Sequence, residues 1–329
     1  MTESAPPPVM PPEKEARPPF RLNLGILRQY GIVFAFLAVF AILSILTQAF
    51  ATTRNMLNVL DQASQVGLAA LGVTVTIIGG GFDLSLGSVY AATGATAALI
   101  ARAGYPELGI IVGIALGLAL GVGNGLVITG FRVNSFVATL ATGLIIRGIA
   151  YILTNGLLIQ IEDPRFAWLG RGRFLEAKIP VFFFAGFAIL VWFLLSRTAF
   201  GRYVYAIGGN EEAARLSGVR TGLVRTMTFA ISGLSAGIAG VIGASRISTG
   251  QANVGDPLTL GAIAAVVIGG TSIVGGEGAV WRTLFGVMLL QLIGNGMNIL
   301  NVAPFYQVAI QGLVILFAVA LDALRQRRP

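Results

Sequence analysis

No cysteine and no histidine occur among the 329 residues, and only 11% of them are charged. The missing cysteine excludes disulfides, thiolate nucleophiles, CxxC redox pairs and zinc–thiolate sites. The missing histidine excludes a Ser-His-Asp triad, an imidazole base and imidazole metal ligands. Lysine is nearly missing too: Lys14 and Lys178 are the only two. Neither stands in a Gly-Lys-Ser/Thr sequence, so a nucleotide-binding Walker A loop is excluded. Soluble domains carry about 25% charged residues. A chain so poor in charge, with 55% hydrophobic residues and a mean hydropathy of +0.83, cannot coat itself for water. Glycine is what it has in excess, 44 residues, about twice the average frequency.

The few charges are unevenly spread. Residues 29–53, 62–82, 84–101, 108–131, 179–196, 226–245, 257–276 and 283–321 contain no Asp, Glu, Lys or Arg. A helix crossing the hydrocarbon layer takes about 20 apolar residues. The 39-residue stretch at 283–321 fits two such helices, broken near Asn301-Val302-Ala303-Pro304, and residues 135–153 add one containing a single charge, Arg147. The pattern predicts ten helices, near residues 30–49, 65–80, 87–101, 108–128, 135–153, 179–195, 227–244, 258–274, 281–299 and 304–321. The period-two alternation of barrel strands is absent. The expected fold is all-α: a polytopic membrane protein of about ten transmembrane helices within residues 26–324. A Pro-rich, disordered cytoplasmic tail is expected at 1–25 and a short cytoplasmic tail at 325–329. With both termini in the cytoplasm, 14 of the 22 Lys and Arg residues face it, the sense required by the positive-inside rule. The net charge of +8 then reflects membrane topology and not a nucleic-acid partner.

Three regions interrupt the apolar pattern. The first reads GGGFDLSLGS (residues 79–88). Its glycines permit turns that other residues resist, and Asp83, four residues before Gly87, is placed to cap the following helix. The same residues, Gly80, Gly81, Asp83, Ser85 and Gly87, also suit a broken-helix element on a translocation path. The second region, around Gly269-Gly270-Thr271-Ser272, resembles the first at a distance of 190 residues. That spacing suggests two related halves, which an odd number of helices per half would make inverted. The third is the loop 197–226. Within it Asn210-Glu211-Glu212-Ala213-Ala214-Arg215-Leu216-Ser217-Gly218 has an N-cap, acids in the first turn and a closing glycine, the grammar of one short helix. It reads either as a solvated connector or as a surface helix that receives force from a motor.

Single polar residues leave further alternatives. Gln291, Asn295 and Asn298 fall at i, i+4 and i+7, so three amides share one helix face, either lining a path for a neutral solute or bonding helices together. Gln65 and Asn124 stand under the same two readings. Gly113, Gly117 and Gly121 form a small-residue face suited to close helix packing. Arg147 either snorkels or forms a gate pair. Asp61, read as lying at a helix edge, and Asp83, Asp256 and Glu277 show no pairing in the sequence.

Three stretches carry a family resemblance: residues 79–88, FGRYVYAIGGNEEAARLSGV (200–219) and AIAAVVIGGTSIVGGEGAV (262–280). Phe136-Val137-Ala138-Thr139-Leu140, Arg147-Gly148 and Asn295-Gly296 add to it. In these the chain resembles the ribose-type sugar permeases of bacterial ABC importers over about residues 55–321. The resemblance implies a non-catalytic membrane subunit in the bacterial inner membrane, without cofactor or bound metal. It would pair with a second copy or a homologue, be driven by separate cytoplasmic ABC ATPases, and receive a monosaccharide or similar polyhydroxylated solute from a periplasmic binding protein. The docking helix for the ATPase would be residues 210–218. An ion-coupled carrier or channel is the alternative. Thr259 and Gly261 replace two acids usual in relatives, Arg282 stands where glycine is usual, and Asn134-Ser135 where proline is common.

Overall fold

The computed structural model describes residues 24–313 and residue 316. The chain divides into two units, residues 1–31 and 32–329. The expected tails lie outside the described residues, except that 24 and 25 already belong to the first helix, and so does the end of the tenth predicted helix.

The described residues are predominantly helical. In chain order the helices are α1 (Leu24–Leu46), α2 (Thr53–Ile78), α3 (Leu86–Arg102), α4 (Pro106–Phe131), α5 (Ser135–Thr154), α6 (Pro164–Arg171), α7 (Ile179–Arg197), α8 (Ala199–Gly209), α9 (Glu211–Leu216), α10 (Thr221–Ile247), α11 (Asp256–Ile268) and α12 (Val280–Ile299). Residues 304–313 are also helical. Among the described residues each of the ten predicted segments therefore overlaps a helix, although the eighth, 258–274, runs six residues past the end of α11 into its glycine turn. By length and composition α4, α5, α7 and α10 are each sufficient to cross a bilayer. Large apolar side chains such as Leu144, Ile152 and Ile189 are exposed along them, which water would penalise and lipid does not.

Two boundaries differ from expectation for physical reasons. Helix α2 begins twelve residues before the predicted 65, where Thr52 Oγ1 accepts the Asn55 N–H at 3.3 Å. Asp61 thus lies two turns inside the helix and is 2% exposed. Its charge is tolerated because Oδ2 accepts from Lys178 Nζ at 2.6 Å and from Arg246 at 2.8 Å. Second, the loop 197–226 contains two helices: α8, capped by Thr198 Oγ1 on the Gly201 N–H, precedes α9.

Helix α10 is the buried centre. Gly113, Gly117 and Gly121 turn one face of α4 against it, so closely that a Cβ on Gly117 would lie 2.6 Å from the Gly233 oxygen and 2.6 Å from the Gly237 Cα. Bare backbone on both sides lets two helices touch without side chains between them, which in lipid replaces the hydrophobic drive as the source of association. One end of the bundle is closed by α6 and two short antiparallel pairings, Ile159 with Gly250 and Arg173 with Lys178. There the Gly170 N–H donates to Ser245 Oγ at 2.7 Å. At the start of α6 the Arg165 guanidinium donates to Asp163 and holds its carboxyl below the usual carboxylate value.

Candidate translocation and coupling site

The chain after α2 is the first break. Gly79, Gly80 and Gly81 donate to Val75, Ile77 and Thr76 oxygens at 3.1, 2.9 and 2.9 Å, with Gly80 at φ +73°. This is a Schellman turn, which requires the left-handed conformation that glycine adopts without a Cβ clash. After α11 the pattern repeats 190 residues later. Gly269, Gly270 and Thr271 donate to Ala265, Val267 and Val266 oxygens at 2.9, 2.8 and 3.2 Å, with Gly270 at φ +86°.

These two turns close helices that run the same way. Asn55 at the start of α2 bonds Asn295 near the end of α12, whereas Thr74 near the end of α2 bonds Thr283 at the start of α12. Helix α12 is therefore antiparallel to α2, and it is antiparallel to α11 as well, since Gly286 packs on Ala265 and Gly269 on Arg282. The turns meet at one end, where the Gly276 N–H donates to the Ile78 oxygen at 2.9 Å. The inverted relation expected between halves is thus not the relation of this pair. Six helices separate the two predicted positions, and an even number leaves the direction unchanged.

The first break continues as non-helical backbone from Gly81 to Ser85, with Gly81, Asp83 and Ser85 buried and Phe82 and Leu84 half-buried. At membrane depth such backbone needs partners from the protein, and α5 supplies them. Ser135 Oγ accepts the Phe82 N–H at 3.0 Å and Thr139 Oγ1 accepts the Leu84 N–H at 3.0 Å. Asp83 does not cap α3; Ser85 holds the cap position, without a side-chain cap bond. The Asp83 carboxylate, 2% exposed, instead accepts from the Ser85 N–H at 3.0 Å, from Ser85 Oγ, and from Ser232 Oγ of α10 at 2.7 Å. Asn124 of α4 donates to Ser85 Oγ at 2.7 Å. Ser135, Thr139 and Ser232 do not stand out in the sequence, because isolated hydroxyls in apolar helices carry no local signal of their partner.

Beyond this network the chain packs on the start of α11. A Cβ on Gly87 would lie 2.5 Å from the Gly255 oxygen and 2.6 Å from Thr259 Oγ1. Beside it Arg147, with 15% of its side chain exposed, makes a two-pronged pair with Asp256, one contact at 2.8 Å, and reaches Ser88 Oγ at 3.4 Å. Asp61 and Asp256, unpaired in the sequence, thus find cations 109 or more residues away in the chain. Asp83 differs, because its hydrogen-bond donors are all neutral.

The remaining candidates lie elsewhere. Gly80 is exposed, Gly81 and Gly269 are buried, and Gly270 and Gln291 are half-buried. Asn295 is 6% exposed, and its amide accepts from Asn55 at 2.8 Å and donates to it at 3.0 Å. Asn298 is exposed and accepts from Gln307. From Asn55 to Ile78 helix α2 rises about 34 Å at 1.5 Å per residue, so the amide stripe is not brought to the breaks.

Helix α9 stands at the end where the breaks meet. Asn210 Oδ1 accepts the Ala213 N–H at 2.9 Å, Glu211 and Glu212 occupy the first turn, and Gly218 closes it at φ +84°. Ala214 packs inward at 6% exposure while Leu216 projects at 79%. Arg215 pairs with Glu212 at 2.6 Å and Arg225 with Glu211 at 2.8 Å. Beside it an open cleft of about 630 Å³ separates α9 from the Arg132 turn that joins α4 to α5.

Residues 55–319 match a family model described as a branched-chain amino acid transport system / permease component. The chain is 41% identical over 301 residues to the ribose import permease protein RbsC of Bacillus subtilis (strain 168), covering 91% of this chain and 94% of that one. It is 39% identical over 306 residues to RbsC of Escherichia coli (strain K12), covering 91% and 95%. It is also 39% identical over 300 residues to the L-arabinose transport system permease protein AraH of the same organism, covering 91% and 92%. No solved structure matches. The match runs through both breaks, α9 and the bundle around α10, and the chain belongs to this family of multi-pass membrane permeases.

Proposed function

We propose that the chain is the permease subunit of an ATP-driven importer for a monosaccharide or a similar small polyhydroxylated solute. It is a non-catalytic membrane subunit, with hydrolysis in separate ABC ATPases that engage α9. A periplasmic binding protein delivers the solute, and a second copy or a homologue completes the pore. Both termini face the cytoplasm, on the side of α9 and Arg132. The observation that carries the sugar assignment is the relatives' identity along nine-tenths of the chain. The family description names amino acids, but an amino acid carries two charges. The polar groups of the first break, Asp83, Ser85, Asn124 and Ser232, are already bonded to one another. The Arg147 cation is matched by Asp256.

The test is uptake into proteoliposomes holding the chain with its ATPases and binding protein. ATP-dependent uptake of ribose or arabinose is expected, without uptake of leucine. Uptake of leucine alone would replace the sugar by an amino acid. Uptake that persists without ATPase would make the protein a carrier or channel.

A further inference from the structure

We propose that the last turn of α8 is the joint through which α9 acts on both helix breaks, with Gly208 as its contact point and Tyr205 as a positioning residue. This rests on the importer reading and names the route by which force from α9 enters the bundle.

Only Asn210 separates the end of α8 from α9, so α9 cannot shift without carrying that turn. Gly208 lies directly on the two breaks. A Cβ there would overlap the Ile78 oxygen and lie 2.5 Å from the Gly276 nitrogen. Those two atoms are themselves the hydrogen bond that ties the breaks together. On the other side of the contact, a Cβ on Gly275 would lie 2.9 Å from the Gly208 oxygen and 2.9 Å from the Gly80 Cα. Three backbones therefore meet with no side chain between them. One turn earlier, Tyr205 Oη donates to the Gly278 oxygen at 2.8 Å, so the second break is held at two points. The backbone of Gly209 also lies against Gly276, but its side-chain direction is open: Gly209 is exposed, and a Cβ on it would meet nothing within 4 Å.

Flexible side chains absorb small displacements by changing rotamer, but packed backbone cannot. A movement of Gly208 is therefore passed to Ile78 and Gly276 almost undiminished. From Ile78 the chain runs through Asp83 and Ser85 to Gly87, which touches Gly255 next to the Arg147–Asp256 pair. The route is contiguous, but contiguity alone does not demonstrate coupling, so the test measures coupling itself.

The complete transporter, with ATPases and binding protein in proteoliposomes, is assayed for sugar taken up per ATP hydrolysed. Gly208→Ala is expected to assemble with the ATPase and lose about tenfold in that ratio, within the range known for contiguous networks. Gly209→Ala keeps the wild-type ratio, and Tyr205→Phe, which removes only the hydroxyl on Gly278, loses a few-fold. A wild-type ratio in Gly208→Ala overturns the joint. So does a loss of uptake and hydrolysis in equal proportion. If Gly208→Ala does not assemble, Tyr205→Phe decides: a lowered ratio supports the joint and an unchanged one overturns it. Wild-type vesicles without ATP-driven sugar uptake overturn the importer reading, and the joint with it.

Discussion

After α2 the chain turns through Gly79-Gly80-Gly81, and after α11 through Gly269-Gly270-Thr271, with the same three backbone hydrogen bonds in each. The segments beyond the two turns have opposite surroundings. The first is mostly buried and held by α4, α5 and α10 through Asn124, Ser135, Thr139 and Ser232. The second is tied to its neighbours at Gly276 and Gly278 and otherwise closes on itself: Ser272 N–H donates to the Glu277 oxygen at 3.0 Å and Gly275 N–H to the Ser272 oxygen at 3.1 Å. It leaves Val274 and Glu277 exposed. A turn is thus set by local glycine chemistry, while the rigidity of the segment after it is set by partners distant in sequence. The first break is fastened by side chains from three helices, the second through its own backbone, by the Gly276 N–H on Ile78 and by the Gly278 oxygen under Tyr205.

The sharpest way to break this contrast is to remove the acid from each segment. Asp83→Ala leaves the Ser85 N–H and the Ser85 and Ser232 hydroxyls without their acceptor, and each unsatisfied buried group costs about 1–3 kcal/mol. Folded yield and the thermal midpoint in detergent should fall steeply. Glu277→Ala, at an exposed side chain, should stay within about 0.5 kcal/mol of wild type. Equal losses in the two variants would erase the distinction between a segment held by side chains and one held by its backbone.

A smaller effect tests the likeness of the turns. Gly80 and Gly270 both have positive φ, which costs an L-residue about 1–2 kcal/mol. A Cβ on Gly80 meets its nearest neighbour at 3.5 Å and one on Gly270 meets nothing within 4 Å, so neither adds a clash. Gly80→Ala and Gly270→Ala should therefore lower stability by equal amounts. Replacement by asparagine, which tolerates this conformation better, should recover part of each loss. Unequal costs would mean that the turns share geometry without sharing energetics.

Legibility in the sequence divides along the same line, between local and distant causes. The ten apolar segments overlap helices because lipid demands long runs of apolar residues in sequence. Helix α9 was legible because Asn210, the two glutamates and Gly218 form a complete set of local cap signals. The start of α2 was not legible: Arg54 and Asp61 mark a boundary when counted as charges, and only Lys178 and Arg246, 117 and 185 residues beyond Asp61, make that acid an interior residue. Asp83 looked like a helix cap because Gly87 is near in sequence, but Ser232, 149 residues away, holds it. The common direction of the two breaks needed the pairing of α12 with α2, which no local pattern contains.

The smallest expected effect concerns that pairing. Thr74 and Thr283 hold α12 to α2 at the end where the breaks meet, and Asn55 and Asn295 hold it at the other. Interhelical hydrogen bonds in membrane proteins average about 0.6 kcal/mol in double-mutant cycles, because helices separated in the bilayer find other partners. A cycle of Asn55→Leu and Asn295→Leu should return a coupling near that value by thermal unfolding. Sugar uptake should be unchanged in the double variant, since the Asn295 amide bonds Asn55 and the Asn55 amide bonds Asn295 and the Phe50 oxygen. Asn298, exposed at the next turn, is the internal control on the same helix. If the double variant lost uptake at unchanged stability while Asn298→Leu did not, the Asn295 amide would belong to the solute path. The far end of α12 would then serve the solute as well as the helix that carries the first break, to which it is fastened in this structure.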